Sequence, residues 1–444
     1  VCAGGVDVVK HRGFWAVDGR PVGTLSRRGL LAGFAGCAAL APVVAFAQES
    51  PVDALLRANQ SRSWGERFDT GANPVASRIR SDVPLLSPET AAATEAVIPI
   101  YRDIASQGGW APVPDRTKLR IGSRSPAVVA LRQRLTIGGD LAPNRQGNAD
   151  TFDTYVEAAV RRFQVRHGLV ATGVVDKVTF DVMNVPADIR LRQLETNLVR
   201  LRSMSGNLGD RYVFVNIPGA EMEMVEAGRV VERHNAVVGK IDRQTPVLTS
   251  RITEINFNPF WHVPVSILRK DIVPKMRGED PTYLAANNIR IIDRKGQEVD
   301  PTSVDWFSDQ PYQYMFRQDP GEGNAMASVK ISFPNPHDVY MHDTPFKDLF
   351  GDNDRFYSSG CMRIQNIHAV IRWLLRDTPN WGEDAIEGAF ASGARVDAKL
   401  KTPVPVYTNY VTAWATRDGV AQFRDDIYSR DGIGELAALQ QPDL

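Results

Sequence analysis

The hydrophobic pattern of this chain changes period once, near Gly209. Upstream of that point apolar residues recur every three or four positions, as amphipathic helices require. Val97, Ile98, Tyr101 and Ile104 predict a helix over Ala91 to Ala105, closed by Gly108 and Gly109. Val128, Leu131 and Leu135 form a second stripe, and Val156, Ala159, Val160 and Phe163 a third. Asp176 stands where a short helix over Val178 to Met183 needs an N-cap. Pro186 then opens a long stretch whose apolar face is Leu191, Leu194, Leu198 and Leu201. Arg190, Arg192, Arg200 and Arg202 are assigned to a solvated face.

Beyond Gly209 the signal becomes that of short strands bounded by Gly, Pro and Asp, at Tyr212 to Ile217, Arg229 to Val238 and Arg251 to Asn256. The next strong strand is Val329 to Phe333, and the polar, partly helical Pro264 to Ala325 between them reads as an insertion able to cover a cleft. Cys361 shortly precedes a helix with Ile367, Val370, Ile371, Leu374 and Leu375 on its apolar face. The expectation is a multidomain α+β fold. It consists of a helical scaffold (48–114), a three-helix bundle (115–186), a linker helix (187–208), a mainly β domain (209–400, with a lid-like insertion at about 265–325) and a C-terminal extension (401–444) packing on either neighbour.

At 444 residues the chain is long enough for two or three domains, and 43% hydrophobic with 23% charged residues is globular composition. Its 52 Lys and Arg balance 52 Asp and Glu, and no local basic block compensates, which argues against nucleic acid as a partner.

Ser26-Arg27-Arg28-Gly29-Leu30-Leu31, the apolar run to Ala47 and the Ala45-Phe46-Ala47 ending have the layout of an export signal. The paired arginines resemble a twin-arginine signal. The expectation is a periplasmic protein cleaved after Ala47, touching the membrane only through that signal if it is retained. Cleavage would remove Cys2 and Cys37 and leave Cys361 as the one cysteine, either buried and inert or kept for its reactivity.

Two segments carry candidate chemistry: Val339-Tyr340-Met341-His342-Asp343-Thr344-Pro345 and Phe356-Tyr357-Ser358-Ser359-Gly360-Cys361-Met362-Arg363. A free thiol has a pKa of about 8.5, so a nucleophilic Cys361 needs a base beside it, a role open to His342. Gly360 allows close backbone approach, and amides around it are candidates for an oxyanion hole. Asp343 neighbours His342 on a strand and points to the opposite face, which leaves a backbone carbonyl to orient the imidazole. His262, His337 and His342 lack any metal-ligand spacing, and no metal or organic cofactor is expected.

These segments resemble the catalytic motif of the L,D-transpeptidases, an upstream histidine followed by Ser-x-Gly-Cys-x-Arg. Many members have His before the Gly-Cys pair; here Ser359 stands there, as in the larger branch with an N-terminal scaffold and a wall-binding module. Asn258-Pro259-Phe260-Trp261-His262-Val263-Pro264 and Gly108-Gly109-Trp110 are similar to that branch as well. Phe163-Gln164-Val165-Arg166-His167-Gly168-Leu169 with Thr172-Gly173-Val174-Val175 resembles a peptidoglycan-binding domain, departing from its usual pattern at Thr172 and Asp176; His167 reads as a turn residue.

The resemblance implies a cysteine-dependent acyltransferase acting on peptidoglycan stem peptides, with other cell-wall synthesis proteins as candidate partners. Cys361 would attack the carbonyl of a stem's third residue, expel the terminal D-alanine and form a thioester. His342 would act as general base and acid, Gly360 as oxyanion-hole backbone, and Arg363 and Ser359 as substrate contacts. Resolution by an amine, by water or by a protein lysine would give a transpeptidase, a carboxypeptidase or a protein-attaching transferase. A wall-binding scaffold without activity is the rival from another class. A papain-like protease is disfavoured because its cysteine precedes its histidine.

Overall fold

The computed structural model describes residues 81–432 apart from 115–116, 144–147, 280–281 and 322. The expected export signal, the first part of the scaffold and the end of the C-terminal extension lie outside the described residues.

Helix α1 (Pro88–Ser106) starts where the Ser87 hydroxyl accepts from Thr90 N, and its apolar stripe, including Val97, Ile98 and Tyr101, is buried. The bundle follows as α2 (Pro126–Ile137), α3 (Thr154–Arg166) and α4 (Lys177–Met183). Asp153 caps α3 and Asp176 caps α4 through their carboxylates, satisfying amides that a helix start leaves without partners. Val128, Leu131, Leu135, Val160, Phe163 and Phe180 close its core.

Helix α5 (Ala187–Met204) joins the bundle to the β region and packs on α1. Its arginines are not the uniformly solvated face expected. Arg190 is buried, donates to Val182 O and Gln193 Oε1, and lies 4.8 Å from the Phe423 ring centre. Arg200 pairs with Asp431 at 2.5 Å. The cause is the C-terminal extension. Its hairpin β14 (Ala413–Ala415) and β15 (Ala421–Phe423) packs on α1 and α5, supplying aromatic and carboxylate partners from more than 200 residues away.

The β region is one mixed sheet built from β1 (Arg211–Asn216), β2 (Glu221–Glu226), β3 (Arg229–Gly239), β4 (Leu248–Phe257), β9 (Val329–Ser332), β10 (Met341–His342), β11 (Phe356–Ser358), β12 (Met362–Ile364) and β13 (Val396–Asn409). The spatial order is β11-β3-β12-β10-β9-β4-β13-β1-β2. The early half of β3 also pairs with β2, so the sheet curls back on itself. The boundary expected at residue 400 falls inside β13, which lies between β4 and β1; the sheet therefore runs to Asn409. Helices α6 (Ile367–Leu375) and α7 (Glu383–Ala391) contribute Ile367, Val370, Ile371, Leu374, Leu375 and Ile386 to the core.

The insertion has its own core. A four-stranded sheet ordered β5 (Trp261–His262), β8 (Met315–Gln318), β6 (Ile289–Ile292), β7 (Glu298–Val299) packs with short helical turns around Leu268, Ile272, Ile291 and Phe316. It begins with Trp261, a few residues before the point where the polar composition sets in. Tyr340 packs against both this core and that of the main sheet.

Candidate active site

The functional side chains are set by strand register. Strands β10 and β12 run parallel with Met341 opposite Met362 and His342 opposite Arg363. Met341 and Met362 face the core, so alternation puts His342 and Arg363 together on the opposite face. Tyr340 shares the face of His342 by the same two-residue period. Cys361 immediately precedes β12, the strand that pairs with the one carrying His342, and its side chain packs with Met341 and Met362 in the core cluster.

Cys361 is fully buried, and its sulfur accepts the Tyr340 N–H at 3.1 Å. Such a donor stabilises a thiolate over a thiol. Cys361 is disulfide-bonded in this structure. The other two cysteines of the sequence, Cys2 and Cys37, lie outside the described residues.

His342 is also fully buried. Its Nδ1 lies 2.5 Å from the Asp343 carbonyl oxygen, which fixes the proton on Nδ1 and leaves Nε2 as the basic atom. Nε2 has no hydrogen-bond partner. The Asp343 carboxylate instead accepts from Ser328 Oγ at 2.7 Å and pairs with Lys347. Burial, and then the Arg363 charge, push the imidazole down to about 3, so it stands neutral.

Arg363 is buried with Nε and Nη1 lacking any hydrogen-bond partner, and burial lowers its guanidinium to about 10. Buried polar atoms are ordinarily satisfied, and unsatisfied ones on facing residues make His342 and Arg363 candidates for contact with a ligand. The structure thus gathers His342, Cys361 and Arg363.

The roles expected for Gly360 and Ser359 meet a different geometry. Gly360 adopts φ +113°, a backbone region that favours glycine, but its N–H donates to Ser358 Oγ at 3.1 Å instead of pointing at a substrate position. Its carbonyl accepts from Thr245 Oγ1 at 2.8 Å. The Ser359 hydroxyl is buried and accepts from Arg243 Nη1 at 2.9 Å, so it holds the turn and makes no open substrate surface. Ser358 Oγ also donates to Cys361 O at 2.5 Å.

Arg243 extends this wiring outward. Its two terminal nitrogens make paired bonds to Asp271 at 2.5 and 2.7 Å, tying the turn before Cys361 to the first helical segment of the insertion. Behind the Arg243 loop, the Tyr428 hydroxyl donates to Gly239 O and accepts from Thr245 N, so the C-terminal extension braces the same turn. Sequence reasoning missed Arg243, Thr245, Asp271 and Lys330, and it read Tyr340 as a core residue, where it packs. The missed residues come from other segments: Arg243 meets Ser359 across 116 residues and Thr245 meets Gly360 across 115.

Among the described residues no group of His, Cys, Asp and Glu is arranged to hold a metal, and no helix is long and apolar enough to cross a membrane. His167 caps α3, with Nδ1 2.7 Å from Phe163 O and its ring stacked on Phe163 and Phe423.

Comparison with known families agrees with this geometry. The profile of the L,D-transpeptidase catalytic domain (YkuD) matches residues 210–406, and that of the "putative peptidoglycan binding domain" matches 124–183. The two matches fall on the mainly β region and on the helical bundle before it. It is 34% identical over 228 residues to a "putative L,D-transpeptidase" of Haemophilus influenzae, a match covering 51% of this chain and 46% of that protein. The matched region thus spans about half the length of that curated relative. Solved L,D-transpeptidases of Xylanimonas cellulosilytica (residues 123–326; 16% identity, 67% of this chain, 99% of that one, TM-score 0.22) and Stackebrandtia nassauensis (15%, 67%, 97%, TM-score 0.26) are also similar, at scores that add no weight.

Proposed function

We propose that this protein is an exported, periplasmic L,D-transpeptidase that links third residues of peptidoglycan stems through a thioester on Cys361. The observation that supports the reading is the register that sets Arg363, two residues after Cys361, opposite His342, with His342 Nε2 and Arg363 Nε and Nη1 lacking hydrogen-bond partners. The nucleophile is the thiol, and cleavage after Ala47 would remove the two other cysteines and with them any disulfide partner within the chain.

In the first step His342 Nε2 takes the thiol proton while Cys361 Sγ attacks the third-residue carbonyl. The carbon–nitrogen bond to the terminal D-alanine breaks, and the imidazolium returns its proton to the departing amine. In the second, a side-chain amine of another stem attacks the thioester, gives a proton to His342 and expels the thiolate. Arg363 is suited to hold a substrate carboxylate or developing oxyanion, since burial has removed its competing water. The bundle would hold the enzyme on the sacculus.

The test is incubation of the full chain, with reductant, with a disaccharide-tetrapeptide, followed by mass spectrometry. The expected products are dimers lacking one terminal alanine. Cys361→Ala and His342→Ala should lose at least about 1000-fold and 100-fold in rate. Tripeptide monomers alone would indicate a carboxypeptidase. Turnover undiminished in Cys361→Ala would defeat the reading.

A further inference from the structure

His342 is the centre of a row of side chains that crosses the sheet. Asp397 pairs with Asn256, Asn256 with Lys330, Lys330 with His342, and His342 with Arg363. Partners at one register level share a face, so Lys330 and Arg363 flank the imidazole from either side. Lys330 is half-buried, with its ammonium 4.4 Å from the centre of the Tyr340 ring, and it makes no ion pair.

Three acids, Glu254, Asp338 and Asp397, act on Lys330 through charge without bonding to it, and two of them hold donors of their own. Asp397 accepts from Arg395 at 2.8 Å and from Asn256 at 2.8 Å. Glu254 accepts from Asn256 at 3.2 Å, and Asp343 is held by Ser328 and Lys347. Two cations therefore stand on either side of a neutral histidine without a carboxylate bonded to either. Partly desolvated positive charge of this kind is unfavourable until an anion arrives.

We propose that Lys330 is a specificity-determining residue that, opposite Arg363, receives a carboxylate of the donor stem peptide and so selects anionic over amidated stems. The assignment rests on the transpeptidase reading of the same site and adds to it the chemistry of the donor. A planar carboxylate fits because Arg363 offers a fork of parallel N–H donors, whereas Lys330 adds a compact charge from the other side. Two carboxylates of a stem qualify: one on the side chain of the third residue, and the one at its C-terminus.

The experiment compares full-length wild type, Lys330→Met and Lys330→Arg, all reduced, on three tetrapeptide stems. One has both carboxylates free, one is amidated on the third-residue side chain, and one is amidated at the C-terminus. Wild type should prefer the fully anionic stem at least tenfold in kcat/KM over one of the amidated stems, which identifies the carboxylate. Lys330→Met should lose that preference and Lys330→Arg should keep most of it. Direct binding of the stems to Cys361→Ala and to Cys361→Ala with Lys330→Met, by calorimetry, should show the same loss of discrimination.

Equal losses on all three stems, or an undiminished preference in Lys330→Met, would overturn the assignment while leaving the transpeptidase reading intact. Absence of turnover and of binding by the wild-type fold on every stem would overturn both.

Discussion

Two histidine–arginine pairs are buried in this molecule, and they have opposite surroundings. In the peptidoglycan-binding bundle, Arg166 donates to both carboxylate oxygens of Asp140 at 2.7 Å, and His167 is packed between Phe163 and Phe423. In the catalytic sheet, Arg363 has no partner at Nε or Nη1, and His342 has none at Nε2. Both histidines anchor Nδ1 on a backbone carbonyl, and both are held neutral by burial first and arginine charge second. Burial and tautomer are common to structural and functional histidines alike. What separates the two pairs is whether the remaining polar atoms are satisfied from within the chain.

The comparison breaks most visibly under arginine removal. Arg166→Met strands the buried Asp140 charge and is expected to cost about 3–5 kcal/mol of stability, read by urea titration. Arg363→Met removes a charge that makes no ion pair among the described residues, with Nε and Nη1 unbonded. Its stability should stay within about 1 kcal/mol of wild type, while its turnover falls by about 10- to 100-fold, the loss of a charged hydrogen-bonding group. A large destabilisation in Arg363→Met would show that the two arginines do the same structural work.

Acidification sharpens the contrast between the histidines and the rest of the chain. A folded-state value near 3 for His342 against about 6.5 unfolded means that the unfolded chain binds the extra proton between those limits. Stability therefore rises with pH across that window and is lost as pH falls below about 6.5, by about 2–3 kcal/mol at pH 4.5 from this one group. His167 acts in the same direction. Denaturant midpoints from pH 7 to 4.5 for wild type, His342→Gln and His167→Gln should show a shallower slope in each variant. An unchanged slope in His342→Gln would mean that its imidazole is charged in the folded protein.

A smaller effect is expected where the insertion meets the catalytic turn. Arg243→Ala removes the bonds to both Ser359 and Asp271 and should lower kcat about tenfold with little change in KM, because it moves the turn carrying Cys361 rather than a substrate contact. Asp271→Asn keeps the Ser359 bond and should lose less. Equal kcat in all three proteins would remove Arg243 from the positioning of the nucleophile.

Much of this molecule is determined by its sequence alone. The stripes of α1 to α5, the caps Asp153 and Asp176, and the apolar face of α6 follow from side-chain periodicity and local hydrogen bonding, which act over a few residues. His342 and Cys361 stood out as candidates because both lie in short motifs with chemistry that needs them together. Tertiary structure decided the rest. Arg190 is buried only because a hairpin from the C-terminal extension covers it, and the Ser359 hydroxyl is taken only because Arg243 arrives from another loop. Lys330 stands beside His342 through strand register, a relation between segments that neither carries in its own sequence. Local patterns fix which face of an element is apolar. Which distant charge meets that face is settled when the sheet closes, and at His342 it sets a cation on each side with no ion pair to either among the described residues.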